Sequence, residues 1–156
     1  MHIRLLAVGD RQPTWVDDAF TNYAGRFPRE WGFRLDVIPT VRRPKNDRPD
    51  KARAAEGERI LASIDRGELV VLLDERGRQL ASKGLAGKLA DWQRDGRDVC
   101  FVIGGPDGVA PDCRTRADFT WSLSQLTLPH GLARVLVAEQ LYRAHSLLTG
   151  HPYHRE

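Results

Sequence analysis

Two cysteines, Cys100 and Cys113, are all that the 156 residues contain, and they form no Cys-x-x-Cys pair. Their scarcity excludes a disulfide framework and leaves both thiols as small buried or half-buried side chains. No apolar run approaches the roughly 20 residues needed to cross a bilayer. The start, Met1-His2-Ile3-Arg4-Leu5, has no basic leader followed by an apolar core. The expectation is a cytoplasmic protein with no membrane partner. A strong charge of one sign is also lacking: 24 Lys and Arg against 21 Asp and Glu leave a net +3, a balance that permits nucleic-acid binding without requiring it. With 41% hydrophobic and 29% charged residues a disordered tail is excluded. The length suits one domain, residues 1–156, burying about 70% of its unfolded-chain surface.

Several nucleotide and catalytic signatures are absent as well. Glycines at 104, 105 and 108 do not make G-x-G-x-x-G, and no G-x-x-x-x-G-K-[ST] occurs, so neither a dinucleotide fingerprint nor a P-loop is present. Without further information the glycine cluster is either a tight turn or a ligand loop. No G-x-S-x-G appears, and Ser122 and Ser124 have no assignable base and carboxylate. His151 and His154 are two residues apart with no cysteine or carboxylate cluster beside them, so no metal site is expected.

What is present is an alternation of strand-like runs and helical stripes, which predicts an α/β fold with a mostly parallel sheet flanked by helices. Ile3 to Val8 reads as a buried strand ending at Gly9. Thr14 follows as a helix cap with Asp17 completing a capping box, and Trp15, Ala19 and Tyr23 share a helical face. Phe33 to Ile38 is the second strand. From Arg42 to Arg53 six basic residues stand against Asp47 and Asp50, leading into a helix over 49–64 with Ala52, Ala55, Ile60 and Leu61 inward. Leu69 to Asp74 is the clearest central strand, polar only at its last residue, and Glu75-Arg76-Gly77 reads as a turn. Ser82 caps a helix carrying Leu85, Leu89 and Trp92, stopped by Gly96. Val99 to Ile103 runs directly into the glycine cluster. A short helix over 112–117 and a short strand over 119–123 precede a loop from Ser124 to His130. The last helix, from Leu132 to about Leu148, is apolar over more than one face, which calls for two burying surfaces, the sheet and a second subunit. Glu139 and Arg143 on it read as an exposed ion pair.

Four stretches taken together carry a resemblance: Val102-Ile103-Gly104-Gly105-Pro106-Asp107-Gly108, Trp121 to His130, Arg134 to Ala144, and His151-Pro152-Tyr153-His154-Arg155-Glu156. Their order and spacing closely resemble the RlmH (YbeA-type) branch of the SPOUT methyltransferases, over the whole chain. The resemblance implies a homodimer with a deep C-terminal trefoil knot. It also implies use of S-adenosylmethionine to methylate N3 of a pseudouridine in the 23S RNA of the large ribosomal subunit, on assembled ribosomes. The knot comes from the resemblance alone.

Carried onto this sequence, the family's cofactor-binding positions fall on Leu73, Gly105, Ser124, Gln125, Leu126, Thr127, Leu128 and Pro129. Leucines for the faces of adenine and free backbone groups for its edges suit such a ligand. The imide proton of N3 must leave, and His130, Tyr153, His154 and Arg155 are the candidates for that chemistry. Histidine accepts a proton near neutrality, tyrosine stacks on a splayed base, and arginine suits a phosphate or a developing oxyanion. Arg42, Arg43 and Lys45 become candidate phosphate contacts. Asp107 stands where relatives often carry glutamate and Gly131 where they often carry proline. Alternative readings are a SPOUT enzyme acting on another RNA such as tRNA, and a non-catalytic ribosome-assembly factor.

Overall fold

The structure, a computed structural model, describes residues 1–9, 11–42 and 48–155. Five strands form one parallel sheet: β1 (Ile3–Val8), β2 (Arg34–Ile38), β3 (Leu69–Gln79), β4 (Val99–Ile103) and β5 (Phe119–Ser122). Their order is β2-β1-β4-β3-β5. All residues of β1 and β4 are buried, because parallel strands carry helices on both faces and so have no solvent side. Alternate residues feed two cores. Ile3, Leu5, Val71, Phe101 and Trp121 point to one face, under α1 (Thr14–Ala24), α3 (Ser82–Asp95) and α5 (His130–Thr149). Leu6, Val8, Val70, Leu72 and Val102 point to the other, under α2 (Pro49–Ser63) and α4 (Pro111–Arg116). Helix α5 lies between α1 and α3, burying Val137, Ala138, Leu141 and Ala144.

Arg4 interrupts the apolar run of β1 and is nonetheless buried. Its guanidinium donates to Glu68 Oε1 at 2.8 Å and Oε2 at 2.7 Å, to Asp36 Oδ2 at 3.0 Å and to the Ser63 carbonyl at 2.5 Å. Such a charge is tolerated inside only when paired this fully.

Several local expectations need correction. Thr14 does not cap α1: Pro13 holds the cap position and no side chain bonds there. The buried face of α1 is Val16 and Phe20, while Trp15 is 56% exposed. One position is about 100° of helix. Val16 takes the inward place because Gly131 of α5 opens a notch for it, where a Cβ would come within 2.9 Å of Val16 Cγ2. In α2 Ala52 and Ile60 are buried and Leu61 packs half-buried against the same core, as expected, but Glu56 and Gly57 take the remaining buried positions in place of Ala55. Ser82 likewise makes no cap; its hydroxyl donates to Gln140 Oε1 at 3.1 Å, tying α3 to α5.

The segment 75–77 is not a turn between elements but part of β3. Leu73 and Arg78 both pair with Trp121 of β5, so residues 74–77 bulge out of the strand and the register resumes beyond them. Gly77 is required there, since a Cβ would lie 2.8 Å from backbone atoms of Thr120 and Trp121. Gly96 and Gly150 close α3 and α5 in the left-handed conformation.

Candidate active site

Because all five strands run in parallel, their carboxyl ends share one edge, where α/β proteins gather ligands. A cavity of about 430 Å³ opens there, within the roughly 300 to 1,000 Å³ typical of small-molecule sites. Its walls are Leu73 to Arg76 from the β3 bulge, Ile103 to Val109 after β4, Arg114 of α4, and Leu123, Ser124, Leu126, Thr127, Leu128, His130 and Ala133.

The glycine segment is folded tightly on itself. Gly108 N–H donates to the Gly105 carbonyl at 3.0 Å, and Gly108 has φ +87°. A Cβ on Gly104 would meet Val109 Cγ2 at 2.5 Å, and one on Gly105 would meet Glu56 Oε2 at 2.5 Å. The backbone therefore approaches its surroundings more closely than any side chain permits, and the ligand-loop reading of this cluster is the one the cavity supports. On the opposite wall Ser122 Oγ donates to the Ser124 carbonyl at 3.0 Å, and Ser124 Oγ accepts from Leu126 N–H at 3.0 Å. Leu126 is thereby held with 73% of its surface exposed, an apolar side chain presented at the cavity.

His130 is the first residue of α5 rather than the last of the loop. Burial, reinforced by the Arg134 guanidinium, pushes its pKa down, while a hydrogen bond to the Gly105 backbone opposes this. The ring is therefore neutral at neutral pH, and its Nδ1 is buried without a hydrogen-bond partner among the described residues. Arg134, buried one turn further on, donates to the Gly9 carbonyl and so joins α5 to the end of β1.

The structure brings together Leu73, Gly105, Ser124, Leu126, Thr127, Leu128 and His130. It does not place Gln125 or Pro129 on the cavity; both are exposed, and Pro129 instead accepts the Ala133 N–H at 2.9 Å. Tyr153, His154 and Arg155 lie beyond the other end of α5, in a 3-10 turn over Pro152–Arg155. The turn folds back along α5, so that Tyr153 OH stands at Glu139, nine residues or about 14 Å of helix from His130 at the cavity.

The tail is nonetheless packed. Tyr153 OH donates to Glu139 Oε1 at 2.9 Å, its ring meets Tyr142 edge-on at 4.9 Å, and the Arg143 guanidinium lies over it at 4.9 Å. Burial first, then hydrogen bonds with Tyr23 and Glu139, push the Tyr153 phenol well up. Glu139 and Arg143, 2.6 Å apart, are only 14% and 24% exposed, so their pair belongs to this tail network and not to an open surface. Arg42 is exposed, whereas Arg43 and Lys45 lie outside the described residues.

Sequence reasoning missed three groups at the site. Asp74 pairs with Arg114 across the cavity wall and accepts the Arg76 N–H at 2.9 Å; the distance in sequence from 74 to 114 gives no signal for this. Arg134 had one, a charged residue at helical spacing among the buried Gly131, Val137, Ala138 and Leu141. Glu56 is buried in α2 directly behind Gly105. Among the described residues no group of three or more His, Cys, Asp or Glu side chains is placed to hold a metal, and no helix is long and apolar enough to cross a membrane.

Residues 1–154 match the family model described as predicted SPOUT methyltransferase. The chain belongs to the SPOUT methyltransferase family. Within the curated proteins this SPOUT methyltransferase is 52% identical over 158 aligned residues to a protein of Thioalkalivibrio sulfidiphilus (strain HL-EbGR7). It is 48% identical over 156 residues to one of Hahella chejuensis (strain KCTC 2396). Both are named ribosomal RNA large subunit methyltransferase H, and each match covers all of both chains. Among solved structures, a probable methylase family protein from Haemophilus influenzae Rd KW20 superposes with TM-score 0.58 at 15% identity, over 97% of this chain and 69% of that one. A putative methylase family protein from Neisseria gonorrhoeae gives 0.50 at 16%, over 90% and 81%. These two share the α/β fold of the SPOUT methyltransferase. The family and the two full-length relatives make the enzyme class methyl transfer.

Proposed function

We propose that this methyltransferase uses S-adenosylmethionine to methylate N3 of a pseudouridine in the 23S RNA of the large ribosomal subunit, acting as a homodimer on assembled ribosomes. The observation that carries the reading is the cavity at the strand ends. One wall is glycine backbone, the other is a loop with an exposed leucine, and a neutral histidine whose Nδ1 is buried without a partner among the described residues stands beside them. The names of the two full-length relatives support the RNA substrate.

The residues present fit such a cofactor. Leu126 and Leu128 offer apolar faces to a flat heterocycle, and Gly104 and Gly105 let the backbone lie against the rest. When bound, the cofactor supplies a methyl on a positively charged sulfur, ready for a nitrogen nucleophile. The chain's own work is alignment of that nitrogen and removal of its proton. His130, neutral in its buried place, is the group that accepts the proton. Tyr153 and His154 of the tail hold the splayed base, and Arg155 faces a phosphate or the uracil oxygen that gains charge.

One chain does not bring these groups together, since α5 keeps the tail away from the cavity. A second copy, packed along α5, supplies its tail instead, which supports the dimer. The basic residues Arg42, Arg43 and Lys45 contact phosphates, and Gln125 and Pro129 close on the cofactor with the rest of their loop. The same reading makes residues 1–156 one cytoplasmic domain with a C-terminal trefoil knot. The knot is supported by the path of the chain, with β5 on the sheet edge beyond β3 and α5 returning over β4.

The test is transfer of labelled methyl groups to assembled ribosomes, free ribosomal RNA and tRNA, with mass mapping of the modified base. Label on a 23S pseudouridine in ribosomes is the expected result. Label on tRNA, or cofactor binding with no transfer to any of the three, overturns the reading.

A further inference from the structure

Glu56 sits in the middle of α2 and is 3% exposed. Its Oε1 accepts the Val41 N–H at 3.4 Å, and its Oε2 has no hydrogen-bond partner among the described residues. An orphaned carboxyl oxygen in a dry interior is costly, so its retention calls for a reason. Its location suggests one. Oε2 lies 2.5 Å from where a Cβ of Gly105 would stand, and Gly105 lines the cavity. A single glycine, without a side chain, is therefore all that separates the carboxyl from the ligand space.

Burial pushes the Glu56 carboxyl above the usual range, and Asp107 adds to this, while the Val41 N–H and Arg59 oppose it. The other titratable groups around it are His130, bonded to the Gly105 backbone from the far side, Arg134 at Gly9, and the Cys113 thiol of α4 at Gly57. Burial thus works against the charged form of this carboxyl, and a cation brought close favours it.

We propose that Glu56 is a specificity-determining residue that recognises the positive sulfur of the methyl donor from behind Gly105, and so separates the charged cofactor from its uncharged thioether product. This rests on the cofactor reading above. The two ligands are alike in adenosine and amino acid and differ in one unit of charge, so shape alone discriminates them poorly. A buried negative group one backbone away acts on that difference, holding the donor and weakening the hold once the methyl has gone. The ionisation also ties donor binding to release of a proton, which product binding does not require.

The experiment is calorimetric titration of S-adenosylmethionine and S-adenosylhomocysteine into the full-length chain at a series of pH values from about 4.3, the ordinary glutamate value, up to about 6.5, below the roughly 7.7 to 8.0 range of α-amino groups. Two buffers of different ionisation heat give the proton count. The wild-type protein is expected to release more proton with the donor than with the product. Glu56→Gln is expected to abolish that difference and to lower the preference for donor over product by about tenfold, as loss of one close charge in a partly water-excluded site gives. Equal proton counts for the two ligands in the wild-type protein overturn the proposal even where the variant does not fold. An unchanged affinity ratio in a folded Glu56→Gln also overturns it while leaving the cofactor reading intact. Binding of neither ligand to the wild-type chain overturns the cofactor reading, and this inference with it.

Discussion

If His130 and the tail act on the same base, they must come from different copies of the chain, and that is open to a direct test. Helix α5 runs from His130 to Thr149 and Tyr153 lies beyond it. The tail folds back along the helix so that Tyr153 OH stands at Glu139, and the nine residues from there to His130 span about 14 Å at 1.5 Å per residue, too far for both groups to touch one base. The perturbations are His130→Ala in one tagged chain and removal of residues 153–156 in a chain with a second tag. Each homodimer is expected to lose transfer by about 10² to 10⁴-fold, the usual contribution of a positioned proton-transfer group. A heterodimer purified through both tags combines one intact cavity with one intact tail, while its second site lacks both. It is expected to regain about half the wild-type activity per dimer, since a two-fold assembly has two equivalent sites. The assay is labelled methyl incorporation into ribosomes, with cofactor binding to the tail-deleted homodimer as the control for an intact cavity. A heterodimer no more active than its parents refutes the composite site.

Three further outcomes follow from the packing. Arg4→Met leaves the Glu68 carboxylate buried without its partner and is expected to cost about 3 to 5 kcal/mol in denaturant unfolding; a loss below 1 kcal/mol contradicts the buried pairing. Burial works against ionisation of Glu68, but the Arg4 guanidinium and the Asp65 N–H overcome it and hold its pKa below the usual range. Its contribution to stability is therefore full above about pH 4.3, the unfolded value, and is lost as pH falls through the lower folded one. Gly77→Ala drives a methyl group into the β5 backbone and is expected to destabilise by about 1 to 3 kcal/mol, read as a lower unfolding midpoint. Charge reversal at Arg42, Arg43 and Lys45 is expected to weaken binding to ribosomes and flatten its salt dependence; methylation and salt dependence that stay as in the wild type remove these residues from the RNA surface.

The central strands were legible because parallel strands buried on both faces are apolar almost without break, as in Val99 to Ile103. The inward face of α3 was legible too, since Leu85, Leu89 and Trp92 have no competing stripe. Helix α1 was not, because Val16 and Phe20 repeat at the same interval as Trp15, Ala19 and Tyr23. A notch in another helix decides between them, and no local pattern reports it. Charged residues misled most. Glu75-Arg76-Gly77 has the composition of a turn, yet the β5 backbone accommodates it within β3. Glu139 and Arg143 have the spacing of a surface pair, yet the tail covers them. Most of the cavity came from motif resemblance, and the two expected contacts that fall outside it, Gln125 and Pro129, are exposed members of a loop whose Ser124 and Leu126 to Leu128 line the cavity.

The bulge in β3 bears on how such an enzyme changes. Leu73 and Arg78 face the same partner residue, so the strand departs from the sheet and rejoins it with the pairing undisturbed on either side. Asp74, Glu75 and Arg76 thereby form a rim at the cavity, anchored to α4 by the Asp74–Arg114 pair. Lineages, or an engineer, are free to exchange Glu75 and Arg76 and retune what the rim admits, as long as the Asp74–Arg114 pair and the glycine that lets the chain back in stay in place.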